Sequence, residues 1–284
     1  MRGSSSTTVG VVHPGAMGAV VGAAAAGSGA RVVWASKGRG EATRERAGAA
    51  GLADLGDLAT LAREVDIILG VCPPAAAVDV ATQVAAAGFD GVYVDANAVS
   101  PATALRVQSI VTPRAGFVDG GIVGPPPHRE GTTRLYLAGE RAGQVAALFD
   151  GTALSAVVLD GPPGRASALK ACYATYTKGT GALLAAIRAL ARHHGVEQAL
   201  LGEWALSLPA LVEQATSGPL RSAPKAWRFI GEMEEHAATF RDAGLPDGVP
   251  AAAAEVYRRL ASFKDVADPS LDDVLAALVP EPRE

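Results

Sequence analysis

The fold of this chain follows from the stretch Val9-Gly-Val-Val-His-Pro-Gly-Ala-Met-Gly18. An apolar, β-branched run ends here in a turn that leads into an alanine-rich segment of helical length. In such a turn, Gly15 lets the backbone approach the pyrophosphate of a dinucleotide, and Gly18 lets helix and strand pack closely. We therefore predict a nucleotide-binding turn formed by His13, Pro14, Gly15, Ala16, Met17 and Gly18.

The turn departs from the usual glycine pattern at its first position, where His13 stands. Because Pro14 biases the preceding residue toward extended backbone, we expect the turn to form without a positive φ at His13. A glycine-rich turn that binds no ligand is the alternative at this point.

Short β-rich runs alternate with alanine-rich segments of helical length from Thr8 onward, which is the pattern of βαβ units. Most runs lack strict apolar–polar alternation, as expected for strands that helices cover on both faces. The sequence predicts an α/β fold, a Rossmann-type doubly wound parallel sheet, with strands at Thr8–Val12, Arg31–Ala35, Ile67–Cys72, Val92–Asp95 and Gly116–Asp119. Two further strands, Arg134–Ala138 and Ser155–Leu159, are predicted to complete the sheet, and a helical segment lies between them at Ala142–Phe149. Whether these two strands run antiparallel is left open.

The β signals stop at Asp160-Gly-Pro-Pro-Gly164, a run that breaks regular structure. The segment Arg165–His194 contains no proline and is followed by Gly195 in the position of a C-cap, so it predicts one long helix. We predict that this helix joins a nucleotide-binding domain, residues 1–163, to an all-helical C-terminal domain, residues 164–284. Further helices are predicted at Leu200–Gln214, Pro224–Ala243, Ala251–Phe263 and Leu271–Leu278.

The middle of the long helix, Ala182–Ala191, is apolar nearly all round. A helix of this kind is buried on several sides. A subunit interface is a natural way to bury it, and we expect a homodimer that forms through the C-terminal helices.

Composition and charge argue against several classes of function. The 284 residues are 49% hydrophobic, and the formal net charge of -4 argues against a nucleic-acid surface. Alanine is the most frequent of the hydrophobic residues, no stretch resembles a membrane span, and the N-terminus does not resemble a secretory signal, so we expect a cytoplasmic location and no membrane partner. Cys72 and Cys172 are predicted to be free thiols, and the sequence has no Cys/His cluster typical of a metal site.

The second predicted strand ends in Trp34-Ala-Ser-Lys-Gly-Arg39, about where NAD-binding chains place an acid for the ribose 2′-hydroxyl. This loop contains no acid. Ser36 can donate a hydrogen bond, and Lys37 and Arg39 carry the positive charge that suits a 2′-phosphate. The loop therefore favours NADP, with NADPH preferred over NADH, and an ordinary solvated loop is the alternative.

Together these stretches resemble the β-hydroxyacid dehydrogenase and 6-phosphogluconate dehydrogenase superfamily, and the resemblance covers the whole chain. The motifs follow in order as Gly10–Gly18, Val71-Cys-Pro73, Asp95-Ala-Asn-Ala-Val-Ser-Pro101, Asp119-Gly-Gly-Ile-Val-Gly124 and Gly164-Arg-Ala-Ser-Ala-Leu-Lys170. The turn and the segment Ala226–Met233 are similar to those of a little-characterised branch of that superfamily. The resemblance implies that Cys72, Pro73 and Asn97 lie beside the cofactor and that Lys170 is the catalytic acid/base.

Lys170 has the chemistry that such a reaction needs. Carbonyl reduction leaves an alkoxide that takes up a proton, and alcohol oxidation releases one. A lysine in water has a pKa of about 10.4, and the alanines and leucines around Lys170 predict an apolar setting that brings this pKa toward neutrality. Without the resemblance, a lysine on a helix is most simply a solvated surface charge.

Tyr173 and Thr177 follow Lys170 at helical spacing, so we expect their hydroxyls beside its amine. The resemblance implies an asparagine four residues after the lysine, where this chain has Ala174. Tyr173 is therefore predicted to take over that catalytic role, and simple packing in the core is the alternative. The predicted substrate-binding residues are Asn97, Val123, Gly124, Lys170, Tyr173 and Thr177, with Asn97 also assigned to catalysis.

Several departures remove hydroxyl groups or charge from the pocket that binds the substrate carboxylate in the superfamily. Asn97 and Ala98 stand where Ser or Thr is usual, Val123 replaces a serine, and Gly231 stands near the position of a second lysine. A simple 3-hydroxy acid is therefore a poorer fit. We predict an NADP-dependent oxidoreductase that transfers a hydride between the nicotinamide and a small alcohol or carbonyl substrate. The alternatives are an imine reductase, against which the retained Lys170 argues, and a non-catalytic NADP-binding sensor.

Overall fold

A computed structural model describes residues 7–264 and 266–279 of the chain. The chain divides into two compact units, Met1–Ala171 and Cys172–Glu284. The division falls inside the long helix, a little after the predicted boundary, so the first turns of that helix belong to the first unit.

A single mixed sheet forms the centre of the first unit. Over the described residues it has eight strands: β1 (Thr8–Val12), β2 (Arg31–Trp34), β3 (Ala53–Asp54), β4 (Ile67–Gly70), β5 (Val92–Asp95), β6 (Gly116–Val123), β7 (Thr133–Ala138) and β8 (Leu154–Leu159). Their order is β3-β2-β1-β4-β5-β6-β7-β8. The strands β1 to β6 are parallel, β7 is antiparallel to β6, and β8 is parallel to β7. The doubly wound, mostly parallel sheet is therefore confirmed.

Helices cover both faces of this sheet. They are α1 (Ala16–Gly27), α2 (Glu41–Ala49), α3 (Leu58–Glu64), α4 (Ala77–Ala86), α5 (Pro101–Val111), α6 (Ala142–Ala146) and the first turns of α7 (Arg165–His193), with 3₁₀ turns at Pro74–Ala76 and Ala147–Phe149. Val11 and Leu69 belong to an apolar cluster that includes residues of α1, whereas Val12 and Ile68 belong to a second cluster with residues of α3, α4 and α5. Alternate strand residues are buried on opposite faces, which explains why the strands lack apolar–polar alternation.

The strands depart most from prediction at β3 and β6, and the other bounds differ by at most two residues. No pattern predicts β3, because two residues are too short to establish a period. The strand β6 continues to Val123 although Gly120 and Gly121 interrupt its β-rich character. A Cβ at Gly121 would lie 2.7 Å from the carbonyl oxygen of Ala166, so glycine is needed where α7 packs against the strand.

The described residues of the second unit are helical, without strands. After the remainder of α7 come α8 (Glu197–Ser207), α9 (Pro209–Ser222), α10 (Ala226–Asp242), α11 (Gly248–Arg259) and α12 (Leu271–Ala276), with 3₁₀ turns at Ala223–Lys225 and Ala261–Phe263. The prediction of one helix over Leu200–Gln214 was wrong, because the helix breaks at Leu208. Pro209 disfavours helical backbone in the residue before it, and Leu208 has φ -142° and ψ 59°.

The long helix α7 ends as predicted. The N–H of Gly195 donates to the carbonyl of Arg192, and Gly195 has a φ of +68°. Burial on several sides holds for part of its middle only: Leu184 and Ala185 are buried, but Leu183 and Leu190 are 57% and 58% exposed. The subunit interface that we expect to bury the remaining apolar side chains stays a prediction. Among the described residues, no helix has the length and apolar character needed to cross a membrane.

Candidate nucleotide and active site

The turn after β1 closes tightly at His13. The N–H of Gly15 donates to the carbonyl oxygen of His13 at 2.7 Å, and His13 has a φ of +64°. The prediction that this turn avoids positive φ was therefore wrong. The close turn outweighs the preference that Pro14 imposes, at a backbone cost of about 1–2 kcal/mol for a residue other than glycine.

The two glycines of the turn have different surroundings. A Cβ at Gly18 would lie 2.8 Å from the carbonyl oxygen of His13, so this position requires glycine. A Cβ at Gly15 would meet nothing closer than that same oxygen, at 4.0 Å. Gly15 is the N-cap of α1, which begins at Ala16 and Met17, and no side chain caps this end or places an acid in its first turn. The first N–H groups of α1 thus face open space, which fits an anionic group.

The loop after β2 contributes positive charge to a cavity of about 260 Å³. Its lining residues are Val12, His13, Ala35, Lys37, Arg39, Leu58, Val80 and Gln83. The structure therefore brings Lys37 and Arg39 together with His13 at the carboxyl ends of β1 and β2. Burial and the charge of Arg39 lower the pKa of His13 to about 4, so its imidazole is neutral at pH 7.

Ser36 faces a carboxylate that the sequence analysis missed. Its backbone N–H donates to Asp54 Oδ1 at 3.2 Å. Burial raises the pKa of Asp54, but the hydrogen bonds from Ser36 and Gly56 outweigh this effect, and the net shift is downward. Asp54 ends β3, the strand that was too short to predict. The Asp54 carboxylate therefore accepts the backbone N–H groups of Ser36 and Gly56.

Asn97 joins the ends of β4 and β5. Its side chain is buried; Oδ1 accepts the N–H of Cys72 at 2.6 Å, and Nδ2 donates to Asp95. Burial and the nearby charge of Asp95 raise the pKa of the Cys72 thiol to about 12. Both ends of the Asn97 amide are engaged in holding the loop that carries Cys72 and the exposed Pro73.

The N-terminus of α7 is fixed to β6 by Asp119. This fully buried carboxylate accepts the N–H groups of Gly164, Ala166 and Ser167 through Oδ2, and the Ser167 hydroxyl through Oδ1 at 2.6 Å. Burial raises the pKa of Asp119, although the four hydrogen bonds act in the opposite direction. An anion at a helix N-terminus is stabilising, so this contact sets the position of α7 relative to the sheet.

Lys170 lies one turn further along α7 and is half-buried. Its Nζ donates to the carbonyl oxygen of Ile122 at 2.5 Å. The amine is therefore held at the carboxyl end of β6, where buried Val123 and then Gly124 follow. Gly124 has a φ of +122°, and a Cβ there would lie 2.3 Å from the Thr132 carbonyl oxygen.

Tyr173 and Thr177 lie further along α7, in the second unit. Tyr173 is 45% exposed, which disagrees with simple packing in the core, and the Thr177 hydroxyl donates to the Tyr173 carbonyl oxygen at 3.1 Å. Their roles beside Lys170 stay predictions.

Comparison with known proteins gives one family model and one curated relative. Residues 191–260 match a family described as a domain of unknown function, DUF1932. An uncharacterized 28.5 kDa protein of Methanothermus fervidus is 29% identical over 165 residues. That match covers 58% of this chain and 63% of the relative, so it spans less than two thirds of the relative's length.

Solved structures match nearly the whole chain. A conserved hypothetical protein from Sinorhizobium meliloti 1021 is 26% identical, with a TM-score of 0.69 over 97% of this chain and 96% of that one. The 3-hydroxyisobutyrate dehydrogenase of Mycobacterium tuberculosis, with L-serine, is 19% identical, with a TM-score of 0.71 over 97% and 100%. A reductive aminase from Aspergillus terreus, in complex with NADPH and ethyl levulinate, is 18% identical, with a TM-score of 0.58 over 97% and 100%.

These structural neighbours include dehydrogenases and reductive aminases, and they share the order of a nucleotide-binding sheet followed by a helical domain. The chain therefore has the fold of these dehydrogenases and reductive aminases, which is the fold that the motif resemblance implies.

Proposed function

We propose that this protein is an NADP-dependent oxidoreductase that interconverts a small alcohol and its carbonyl compound, with Lys170 as the general acid/base. The observation that carries the proposal is the half-buried Lys170 amine, bonded to the Ile122 carbonyl at the carboxyl end of β6. The ends of parallel strands are where ligands bind in doubly wound folds. Dehydrogenases among the structural neighbours support the reaction class.

The residues of the first unit fit a phosphorylated dinucleotide. The uncapped N-terminus of α1 and the open space at Gly15 would receive the pyrophosphate, and Lys37 and Arg39 would hold a 2′-phosphate. When bound, the nicotinamide supplies or accepts the hydride. A steady-state comparison of NADPH with NADH tests the preference, and a strong preference for NADH would contradict it.

Lys170 has the proton-transfer role in this scheme. During carbonyl reduction the ammonium donates a proton to the alkoxide oxygen, and during alcohol oxidation the neutral amine takes that proton back. The Ile122 carbonyl accepts one N–H of Lys170 and so restricts where the amine can lie. Asp119 acts indirectly, because it fixes the turn of α7 from which Lys170 extends.

The substrate is proposed to lie near Val123 and Gly124; that Tyr173 and Thr177 of the second unit contribute hydroxyls stays a sequence-based prediction. Asn97 is better suited to positioning the cofactor loop than to binding substrate, since its amide already bonds to Cys72 and Asp95. Buried, apolar Val123 offers no hydrogen bond to a carboxylate. We therefore propose a substrate that is less polar than a simple 3-hydroxy acid.

A second candidate is reduction of a C=N bond, which the fold similarity to an NADPH-bound reductive aminase favours. A panel of hydroxy acids, ketones and cyclic imines assayed with NADPH separates the two reactions. Activity on imines alone would support the second candidate. Tight NADPH binding without turnover of any compound would favour a non-catalytic sensor.

We also propose that the chain forms a homodimer through its C-terminal helices. Tyr176, Leu183 and Leu190 recur along α7 at seven-residue spacing and are all exposed in the single chain. The substitutions Leu183→Glu and Leu190→Glu together should give a monomer by light scattering, whereas Leu105→Glu in the first unit should not. A monomeric wild-type protein would contradict the proposal.

A further inference from the structure

His13 combines an unfavourable backbone conformation with a side chain that lines a cavity. It is the only non-glycine residue with a positive φ in the described part of the chain. Glycine would adopt this conformation without strain. The turn itself needs only the carbonyl oxygen of His13, which accepts the N–H of Gly15. The imidazole is therefore not required for the turn to close.

The imidazole lines the same cavity as Lys37 and Arg39. Apolar side chains such as Val12 and Leu58 form other parts of the cavity wall. Nδ1 of His13 is buried and has no hydrogen-bond partner among the described residues, whereas Nε2 is not buried. We therefore assign Nε2 of His13 to the wall of the cavity that Lys37 and Arg39 also line.

The protonation state of the ring suits a phosphate donor. Burial and the Arg39 charge keep the pKa of His13 at about 4, so the ring does not add a third positive charge to the empty cavity at pH 7. A buried N–H without an acceptor is unfavourable, so the neutral ring carries its proton on Nε2. Nε2–H is then a hydrogen-bond donor on a ring that lines the same cavity as Lys37 and Arg39.

We propose that the His13 imidazole is a third ligand of the adenosine 2′-phosphate, acting with Lys37 and Arg39, and so contributes to the choice of NADP over NAD. This inference rests on the proposed function, because it assumes that the cavity receives the phosphorylated ribose. It assigns a specificity role to a residue whose position in the turn is otherwise filled by glycine.

The test compares His13→Gly and His13→Asn with the wild-type protein, by fluorescence titration of NADPH and NADH and by thermal denaturation without nucleotide. His13→Gly should raise Tm, because it removes the strained φ, and should weaken NADPH binding about tenfold, with less than about a twofold change for NADH. Asparagine tolerates positive φ and offers an N–H donor of shorter reach, so His13→Asn should fall between glycine and wild type.

The outcomes separate this inference from the function on which it rests. If the wild-type protein binds NADPH and His13→Gly binds it equally well, the ligand role of His13 is overturned and the proposed cofactor stands. Equal losses for NADPH and NADH would also overturn it, because a 2′-phosphate ligand cannot affect both alike. If the wild-type protein binds neither nucleotide, both proposals fail.

Discussion

The N-termini of α1 and α7 differ in how their exposed N–H groups are used. At α1 no side chain caps the helix and no acid lies in its first turn. At α7 the buried carboxylate of Asp119 accepts three backbone N–H groups and the Ser167 hydroxyl. Both ends carry the partial positive charge of a helix dipole. The Asp119 carboxylate occupies the N-terminus of α7, whereas no side chain of the described residues caps the N-terminus of α1.

This difference separates a structural junction from the proposed binding site. At α7 the N–H groups already have acceptors within the chain, three residues before Lys170. At α1 no side chain caps the helix, and the cavity that Lys37 and Arg39 line also includes His13, from the turn before this helix. The comparison predicts that changes at α7 alter stability or the chemical step, whereas changes at α1 alter nucleotide affinity.

The largest effect is expected from Lys170→Ala. Loss of the general acid/base should lower kcat/KM for alcohol or carbonyl substrates by about 10²–10⁴-fold and leave the Kd for NADPH nearly unchanged. Lys170→Arg is the matched control, because it keeps the positive charge but does not exchange a proton near neutral pH, and it should be nearly as inactive. Retained alcohol or carbonyl activity in Lys170→Ala would contradict the assignment.

The next effect is on stability. Asp119→Ala leaves buried donors of α7 without an acceptor and should lower the free energy of unfolding by about 3–5 kcal/mol in urea denaturation. Asp119→Asn keeps one acceptor oxygen and should lose less. Asp57→Ala, which removes the partly exposed N-cap of α3, should have a smaller effect than Asp119→Ala. Similar losses for Asp57→Ala and Asp119→Ala would argue against a special role of the β6–α7 junction.

Replacing either of two glycines by alanine tests the N-terminus of α1. Gly15→Ala meets no close atoms and should leave Tm nearly unchanged, but its methyl group lies where the nucleotide backbone approaches, so NADPH affinity should fall about tenfold or more. Gly18→Ala brings a Cβ to 2.8 Å from the His13 carbonyl and should lower both stability and affinity. If Gly15→Ala binds NADPH normally, the open end of α1 is not the phosphate site.

The smallest effect concerns the pH dependence of stability without nucleotide. The folded state lowers the pKa of His13 from 6.5 to about 4, so it binds fewer protons than the unfolded state between these values. The contribution of His13 to the free energy of unfolding should therefore decrease as the pH falls from 6.5 toward 4. His13→Gly should make the urea-denaturation profile flatter over this range. An unchanged profile would show that His13 is not shielded as the structure indicates.

The sequence predicted which elements carry the motifs better than it predicted their local geometry. The motifs from Gly10 to Lys170 placed the nucleotide turn, the cationic loop and the lysine on the correct elements, because each element carries its own local pattern. Asp54 was missed, since β3 is only two residues long. The positive φ of His13 was also missed, because the local preference imposed by Pro14 pointed the other way.

The sequence by itself determined the doubly wound sheet, the long helix and the residue types available for chemistry, since these depend on periodicity, glycine positions and breaks along the chain. Only the tertiary structure decided which polar groups meet: Asp119 with α7, Asn97 with Cys72, and Ser36 with Asp54. Such pairings join residues far apart in sequence, so no local pattern encodes them. The pairings of Asp119 and Asn97 form because a buried polar group must find a partner once the strands and helices have packed.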